Sequence, residues 1–317
     1  MQRRERGRTG EIGQGTVEWI ALLSLLALLF AALVAAGLRL PVASLARSLA
    51  ARIVCAVSLS DACREAPQLV AAYGEELAEL VRRHAPGLAY EHGMHALPVD
   101  FRRCRSSACG DGPGEGVVAL SSRGEPVVAF VHVVDCREPA VARTTRLGGD
   151  CSDARRGNLY LQYWTYYADS ATLRGIPVAG RRGYHRDDWE GTQFRIGPDG
   201  SVAQRASSHR GYNCQQGAAN WGSDAGIAVL GDAAEAVGAR PAGGWCEASR
   251  WLFVSGGSHA GNVRGEAQKV GRITPGDRIR LIPLEPIAAG DAGRFSFAVT
   301  APWTKVVWRD PEAEGTS

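Results

Sequence analysis

Residues 159–167 read LYLQYWTYY and residues 184–190 read YHRDDWE, and the fold prediction starts from these two stretches. The first is an aromatic run of strand length, and residues 127–134 (VVAFVHVV) form a β-branched run around His132, a predicted core residue. Because strands dominate without regular strand–helix alternation, we predict a mainly β fold, a β-sandwich with peripheral helices over residues 126–317. Its further predicted strands are Trp189–Ile196, Trp251–Ser255, Arg278–Pro283 and Phe295–Thr300.

Residues 41–125 come before the predicted sandwich and are expected to be helical at first and mixed later. After a cap-like start at Ser60–Asp61, apolar residues such as Leu69, Tyr73 and Leu77 recur at helical spacing. The pattern predicts an extracellular helical segment that either continues a membrane helix or caps the domain.

A long apolar stretch lies near the N-terminus. From Ile20 to Leu38 there are nineteen residues without a charge, and a helix of that length spans about 29 Å, close to a bilayer core. A buried core helix is disfavoured because the stretch is apolar all round, and a cleaved secretory signal because its apolar run is usually shorter. The positive-inside rule places the N-terminus in the cytoplasm, since four arginines precede the stretch: Arg3, Arg4, Arg6 and Arg8.

We therefore predict a single-pass protein of the cell membrane. Residues 1–18 form its basic cytoplasmic N-terminus, residues 19–40 its transmembrane helix, and the C-terminal domain is extracellular. The membrane is then a partner of the chain through its N-terminal helix.

Residues 13–19 (GQGTVEW) lead into the apolar stretch, and Glu18 is a charge that is costly in a membrane. The segment resembles the class III signal of Flp/Tad-type pilins, in which a prepilin peptidase cuts after a glycine. Cleavage after Gly13 leaves Gln14 first and Glu18 fifth, while Trp19 replaces the tyrosine usual in that family. The resemblance implies a processed leader and a prepilin peptidase as partner; a plain signal anchor is the alternative.

All eight cysteines follow the apolar stretch, which agrees with an oxidising compartment. No CxxC pair occurs, so a zinc ribbon is disfavoured. We predict four disulfides between chain neighbours: Cys55–Cys63, Cys104–Cys109, Cys136–Cys151 and Cys214–Cys246.

The acidic residues of YHRDDWE are the candidate functional site. If Asp188 begins a strand, Asp188 and Glu190 share one inward face and Trp189 points to the other. Buried carboxylates are costly unless a cation or an arginine such as Arg186 or Arg195 neutralises them. His185 has the opposite parity and joins them only if the chain turns at Arg186–Asp187. Taken alone, the pattern also fits a solvated loop followed by a strand with a structural salt bridge.

The order of motifs adds a resemblance. YWTYY (163–167), Asp169-Ser170, YHRDDWE and GSHA (257–260) together resemble the necrosis- and ethylene-inducing-like proteins and their relatives, the vacuolar protein sorting-associated protein 62 family. Cytolysins of the first family carry GHRHDWE, so Tyr184 and Asp187 depart from the motif, and Asp187 is expected to tolerate replacement. The resemblance implies a β-sandwich with a divalent cation in an acidic cavity, held by Asp169, His185, Asp188, Glu190 and His259.

Carboxylates and water suit Mg²⁺ or Ca²⁺, and the histidines also admit Mn²⁺ or Zn²⁺. The net charge is +3, and the chain is close to neutral once the N-terminal arginines are set aside. This lack of excess positive charge excludes a nucleic-acid binder. We predict a membrane-anchored extracellular protein whose cation cavity binds a polar ligand, a glycan or a lipid head group. The alternatives are a metal-dependent hydrolase using the same cavity and a pilin-like structural subunit. Cation ligands without a separate nucleophile favour binding over catalysis.

Overall fold

A computed structural model describes residues 61–138, 147–171, 184–208, 211–213, 244–265, 267–286 and 295–313. Two α-helices lie in these ranges, α1 (Asp61–Arg83) and α2 (Val306–Arg309). The strands are β1 (Gly87–Glu91), β2 (Gly116–Val117), β3 (Val128–Asp135), β4 (Leu159–Ala171), β5 (Tyr184–Ile196), β6 (Val202–Ser208), β7 (Gly211–Asn213), β8 (Cys246–Glu247), β9 (Trp251–Val254), β10 (Gly261–Asn262), β11 (Val270–Thr274) and β12 (Arg280–Pro283).

The strands form two sheets, as the predicted mainly β class requires. The large sheet has the order β12-β3-β4-β5-β6-β7, with β8 paired to β6, and the small sheet has the order β10-β9-β1-β11-β2. Apolar side chains of both sheets form one buried cluster, to which the large sheet contributes Tyr163 and Phe194 and the small sheet Leu88 and Leu252. The two inward faces therefore pack on each other as in a β-sandwich.

Helix α1 lies in the segment predicted to be helical, and it caps the domain. The backbone of α1 is broken at Gly74, where φ is 80° and ψ is 169°. Leu69 and Tyr73 before the break and Leu77 and Val81 after it are buried, so both parts of the helix face the core. The Tyr73 hydroxyl donates to the Val131 carbonyl at 2.6 Å, and the Tyr163 hydroxyl donates to the Val81 carbonyl at 2.6 Å. These two bonds fix α1 to the large sheet.

Strand β1 lies before residue 126, where the sequence placed the start of the sandwich. It pairs in parallel with β9 and antiparallel with β11, and it is therefore a central strand of the small sheet. Residues of the segment predicted to be mixed thus belong to the sandwich itself.

One predicted strand, Phe295–Thr300, is wrong. Residues 295–300 are irregular, and their aromatic side chains join a cluster on the outer face of the large sheet with Phe101 and Trp189. The Ala298 N–H donates to a side-chain carboxylate, that of Asp187, at 2.9 Å. Side-chain packing and this bond organise the segment in place of strand pairing.

Two of the predicted disulfides, Cys104–Cys109 and Cys136–Cys151, are confirmed, with Cα–Cα distances of 6.3 and 5.2 Å. Cys246 is also disulfide-bonded, and its partner lies outside the described side chains. Cys55, Cys214, the apolar stretch and the pilin-like segment lie outside the described part of the chain, so the pairs Cys55–Cys63 and Cys214–Cys246 stay predictions. Within that part, no helix has the length and apolar character needed to cross a membrane.

Candidate functional site

The acidic residues lie where the two central strands of the large sheet pair. Tyr167 of β4 is opposite Asp188 of β5, and Thr165 is opposite Glu190. Both carboxylates are buried, each with 7% exposure. Trp189 packs in the outer aromatic cluster, so the predicted alternation along β5 is confirmed.

His259 meets Asp188 from the other sheet. Its Nδ1 lies 2.8 Å from Asp188 Oδ2, and its ring stacks on Tyr167 with a centroid distance of 4.0 Å and an interplanar angle of 16°. His259 lies between β9 and β10 in a turn in which the Ser255 N–H donates to the Ala260 carbonyl at 3.0 Å. The contact therefore connects segments that are 71 residues apart in sequence.

A close approach of strands next to this turn holds the two sheets together at the site. At Gly261 a Cβ atom would lie 3.1 Å from Ala206 Cβ and 3.4 Å from the Ser207 carbonyl oxygen. Glycine suits this position because a side chain there would require its neighbours to move by a few tenths of an ångström. The turn that carries His259 is thereby held against the large sheet.

Glu190 has a hydroxyl partner from the neighbouring strand. The Ser207 hydroxyl donates to Glu190 Oε2 and accepts the Gly191 N–H at 2.7 Å. The Thr165 hydroxyl donates to the Glu190 carbonyl at 3.3 Å. Side-chain hydroxyls of the flanking strands thus fix both the backbone and the carboxylate of Glu190.

Lys305 supplies a positive charge near the pair. Burial lowers the pKa of its ammonium, while the charges of Glu190 and Asp188 act in the opposite direction. Its Nζ lies 5.8 Å from the centroid of Trp164, which is paired with Gly191 next to Glu190. Neither arginine expected from the sequence has this role, because Arg195 pairs with Glu312 at 3.0 Å and Arg186 is exposed.

The two carboxylates also act on Tyr167. Burial raises the pKa of its hydroxyl well above the usual value, and the charges of Glu190 and Asp188 raise it further. Tyr167 therefore remains a neutral phenol between the acidic residues and the His259 ring.

Asp187 points to the opposite face, and its contacts do not fit the expectation that it tolerates replacement. Its Oδ1 accepts the Tyr166 hydroxyl at 2.6 Å and the Arg105 guanidinium at 2.7 Å, and its Oδ2 accepts the Ala298 N–H. Although burial alone would raise the pKa of this carboxyl, bonds from Tyr166, Ala298 and Arg105 lower it below the usual value. Asp187 is therefore an ionised, buried residue with partners in three segments.

The five residues predicted to bind a cation are only partly brought together. Asp188 and His259 are in contact, and Glu190 follows Asp188 on the same strand. Asp169 is opposite Arg186, two residues further along the strands than the Tyr167–Asp188 pair. His185 has a different contact, because its Nδ1 bonds the Asp187 carbonyl at 2.9 Å.

The grouping of these side chains bears on the predicted cation. In the described ranges, no three His, Cys, Asp or Glu side chains are grouped closely enough to hold one. Asp188 Oδ2 contacts His259 at 2.8 Å, and the charges of both carboxylates act on Lys305. The divalent cation stays a prediction.

The sequence did not point to Lys305 or Tyr167 as part of the site. Lys305 is more than a hundred residues from Glu190, and the local sequence gives no sign that the two approach. Ser207 also contributes to the site, through its bond to Glu190. Two surface cavities along α1, of about 670 and 420 Å³, are lined by none of the five residues predicted to bind the cation.

No protein-family model and no curated protein matches this chain. Similar solved structures include NLPPya in complex with glucosamine, with 15% identity, a TM-score of 0.38, and coverage of 77% of this chain and 91% of that one. Necrosis and Ethylene inducing Protein 2 from the causal agent of cocoa's Witches Broom disease has 19% identity, a TM-score of 0.28, and coverage of 70% and 91%. At these values the similarity carries no argument about function.

Proposed function

We propose that this chain is a membrane-anchored extracellular binding protein that recognises a polar ligand, a glycan in the first instance, through Asp188 and Glu190. The observation that supports the proposal is the Asp188–His259 contact at 2.8 Å, made between the two sheets with Glu190 beside it. Carboxylates accept hydrogen bonds from hydroxyl and ammonium groups, which are the groups that amino sugars present.

The bonds that hold Asp188 and Glu190 favour binding of a polar ligand. Asp188 and Glu190 are held by His259 and Ser207, so their oxygens have fixed directions before a ligand arrives. Such fixed acceptors reduce the entropy lost on binding. Buried carboxylates also discriminate strongly, because a ligand that leaves them without partners loses affinity.

Calorimetric titration with glucosamine tests the proposal, using the full chain in detergent because of its apolar N-terminal stretch. NLPPya complexes with glucosamine and mannosamine suggest these sugars as the first probes. We expect saturable binding by the wild type and a loss of about tenfold or more in Glu190→Gln, since one charged hydrogen bond contributes about 1.5–3 kcal/mol. The matched control is Glu79→Gln, which alters an exposed glutamate of α1.

Equal affinity in wild type and Glu190→Gln would refute this site. Repeating the titration with a chelator and with added Mg²⁺ or Ca²⁺ tests the predicted cation separately. Binding to vesicles but not to sugars would favour a lipid head group. Chelator-sensitive turnover of a substrate would favour the hydrolase alternative instead.

The membrane anchor and the extracellular location remain part of the proposal. They rest on the apolar stretch, the preceding arginines and the cysteine content. Recovery of the chain in filaments after cleavage between Gly13 and Gln14 would favour the pilin-like alternative.

A further inference from the structure

Unusual backbone conformations occur on both sides of the Asp188–His259 contact. In the described chain, three residues other than glycine have a left-handed φ: Asp153 at 47°, Asp187 at 59° and His259 at 58°. Asp187 precedes Asp188, and His259 is the residue that Asp188 contacts. Such conformations cost about 1–3 kcal/mol each and persist only where the surroundings enforce them.

The surroundings of Asp187 do enforce its conformation. Its carboxylate is 3% exposed and accepts bonds from Tyr166 in β4, from Arg105 and from Ala298. Arg105 lies in the loop closed by the Cys104–Cys109 disulfide and also donates to the Ser296 carbonyl at 2.7 Å.

The guanidinium carbon of Arg105 lies 4.8 Å from the centroid of Phe297. The three bonds to the Asp187 carboxylate thus come from three separated segments, those of Tyr166, Arg105 and Ala298, on the outer face of the sheet.

The backbone at Asp187 is tied on its own strand as well. His185 Nδ1 lies 2.9 Å from the Asp187 carbonyl and, because a carbonyl only accepts, must donate to it. The pairs on either side, Tyr167–Asp188 and Asp169–Arg186, keep one register. The left-handed residue thus leaves the strand register unchanged, and it comes immediately before the residue that faces His259.

We propose that Asp187 is a positioning residue: by holding a left-handed backbone from the outer face, it directs the Asp188 carboxylate towards His259 on the inner face. Aspartate suits this position because Asp and Asn adopt the left-handed conformation more readily than most residues, and because its two oxygens can satisfy three segments. The inference deepens the proposed function, on which its binding test rests.

Substitutions at Asp187 separate the backbone role from the packing role. Asp187→Ala and Asp187→Gly both remove the carboxylate, but only glycine adopts a left-handed φ without cost. Tyr166→Phe is the matched control, since it removes one bond to the carboxylate and leaves the backbone residue unchanged. Unfolding in urea gives the stability of each full-chain variant.

Two readouts follow, glucosamine affinity and the imidazole N–H proton signal of His259, assigned by its absence in His259→Gln. We expect Asp187→Ala to lose the N–H signal and about tenfold in affinity, which corresponds to 1.4 kcal/mol. Asp187→Gly should keep the signal and stay within about threefold of the wild-type affinity, although it is no more stable than Asp187→Ala. Tyr166→Phe should keep both.

Parallel behaviour of the Ala and Gly variants would overturn the inference, because stability alone would then explain both. If the wild type does not bind glucosamine, the proposed function fails while the His259 signal still decides the role of Asp187. If Asp187→Ala does not fold, the comparison is made between Asp187→Gly and Asp187→Asn. Loss of the signal in both of these would refute the proposal.

Discussion

His132 should make the stability of the protein depend on pH. The residue lies in β3 with 3% exposure, its ring stacks on Trp308 at 3.6 Å, and its Nε2–H donates to the Trp308 carbonyl at 3.1 Å. Burial lowers the pKa of this imidazole to about 3, with the bond to Trp308 acting in the opposite direction. The neutral ring already donates its one N–H to this carbonyl, so protonation of the other nitrogen would add a buried charge.

The sign of the effect follows from proton uptake. An unfolded histidine has a pKa of about 6.5, so between pH 6.5 and about 3 the unfolded chain binds one more proton at this site. Stability from a group with a depressed folded pKa is present above the unfolded value and falls as the pH drops. From pH 7 to pH 5 the loss is about 2 kcal/mol, since each unit below 6.5 costs about 1.4 kcal/mol.

The assay is urea unfolding of the full chain at pH 7, 6 and 5, for wild type and His132→Gln. Glutamine keeps an N–H donor for Trp308 but does not titrate. The wild type should lose about 2 kcal/mol more than the variant over this range. His84, whose pKa burial and Arg83 also lower, is present in both proteins and cancels in the difference. The same pH dependence in both proteins would show that His132 does not cause the loss of stability.

Three further predictions concern the disulfides, the outer face and the topology. Replacing Cys136 and Cys151 by serine should lower the free energy of unfolding by about 3 kcal/mol, because the bridge closes a 15-residue separation; an unchanged urea midpoint would contradict this. Asp187→Ala should lower it by about 3–5 kcal/mol by leaving buried partners unpaired, and a loss below about 1 kcal/mol would show that the partners find water. Cysteine labelling of intact cells should reach a site near Ser317 but not one near Gln2, and the reverse pattern would exclude the predicted topology.

Local patterns in the sequence were enough to predict the centre of the large sheet. The apolar and aromatic runs at β3 and β4 match the observed strands closely, and period-two alternation correctly separated Asp188 from Trp189. The two confirmed disulfides join near neighbours in the chain. All of these features depend on residues that are close in sequence.

The parts that could not be predicted depend on distant contacts and on backbone angles. The Asp188–His259 contact was expected only through a family resemblance, because no periodicity relates residues of different sheets. The role of Asp187 depends on a positive φ and on Ala298, more than a hundred residues away. The segment 295–300 has the composition of a strand, but its backbone is organised by packing on the outer aromatic cluster.

The charges around Asp188 and Glu190 bear on the predicted cation. Two buried carboxylates repel each other unless a positive charge lies near them. The sequence offered a divalent cation or an arginine for this role, whereas the structure brings Lys305 close enough for both carboxylates to oppose the fall in its pKa. A divalent cation at Asp188 would be repelled by that ammonium. Lys305 and the cation are therefore competing counter-charges. A chelator should lower the free energy of unfolding of the wild-type protein less than that of Lys305→Met.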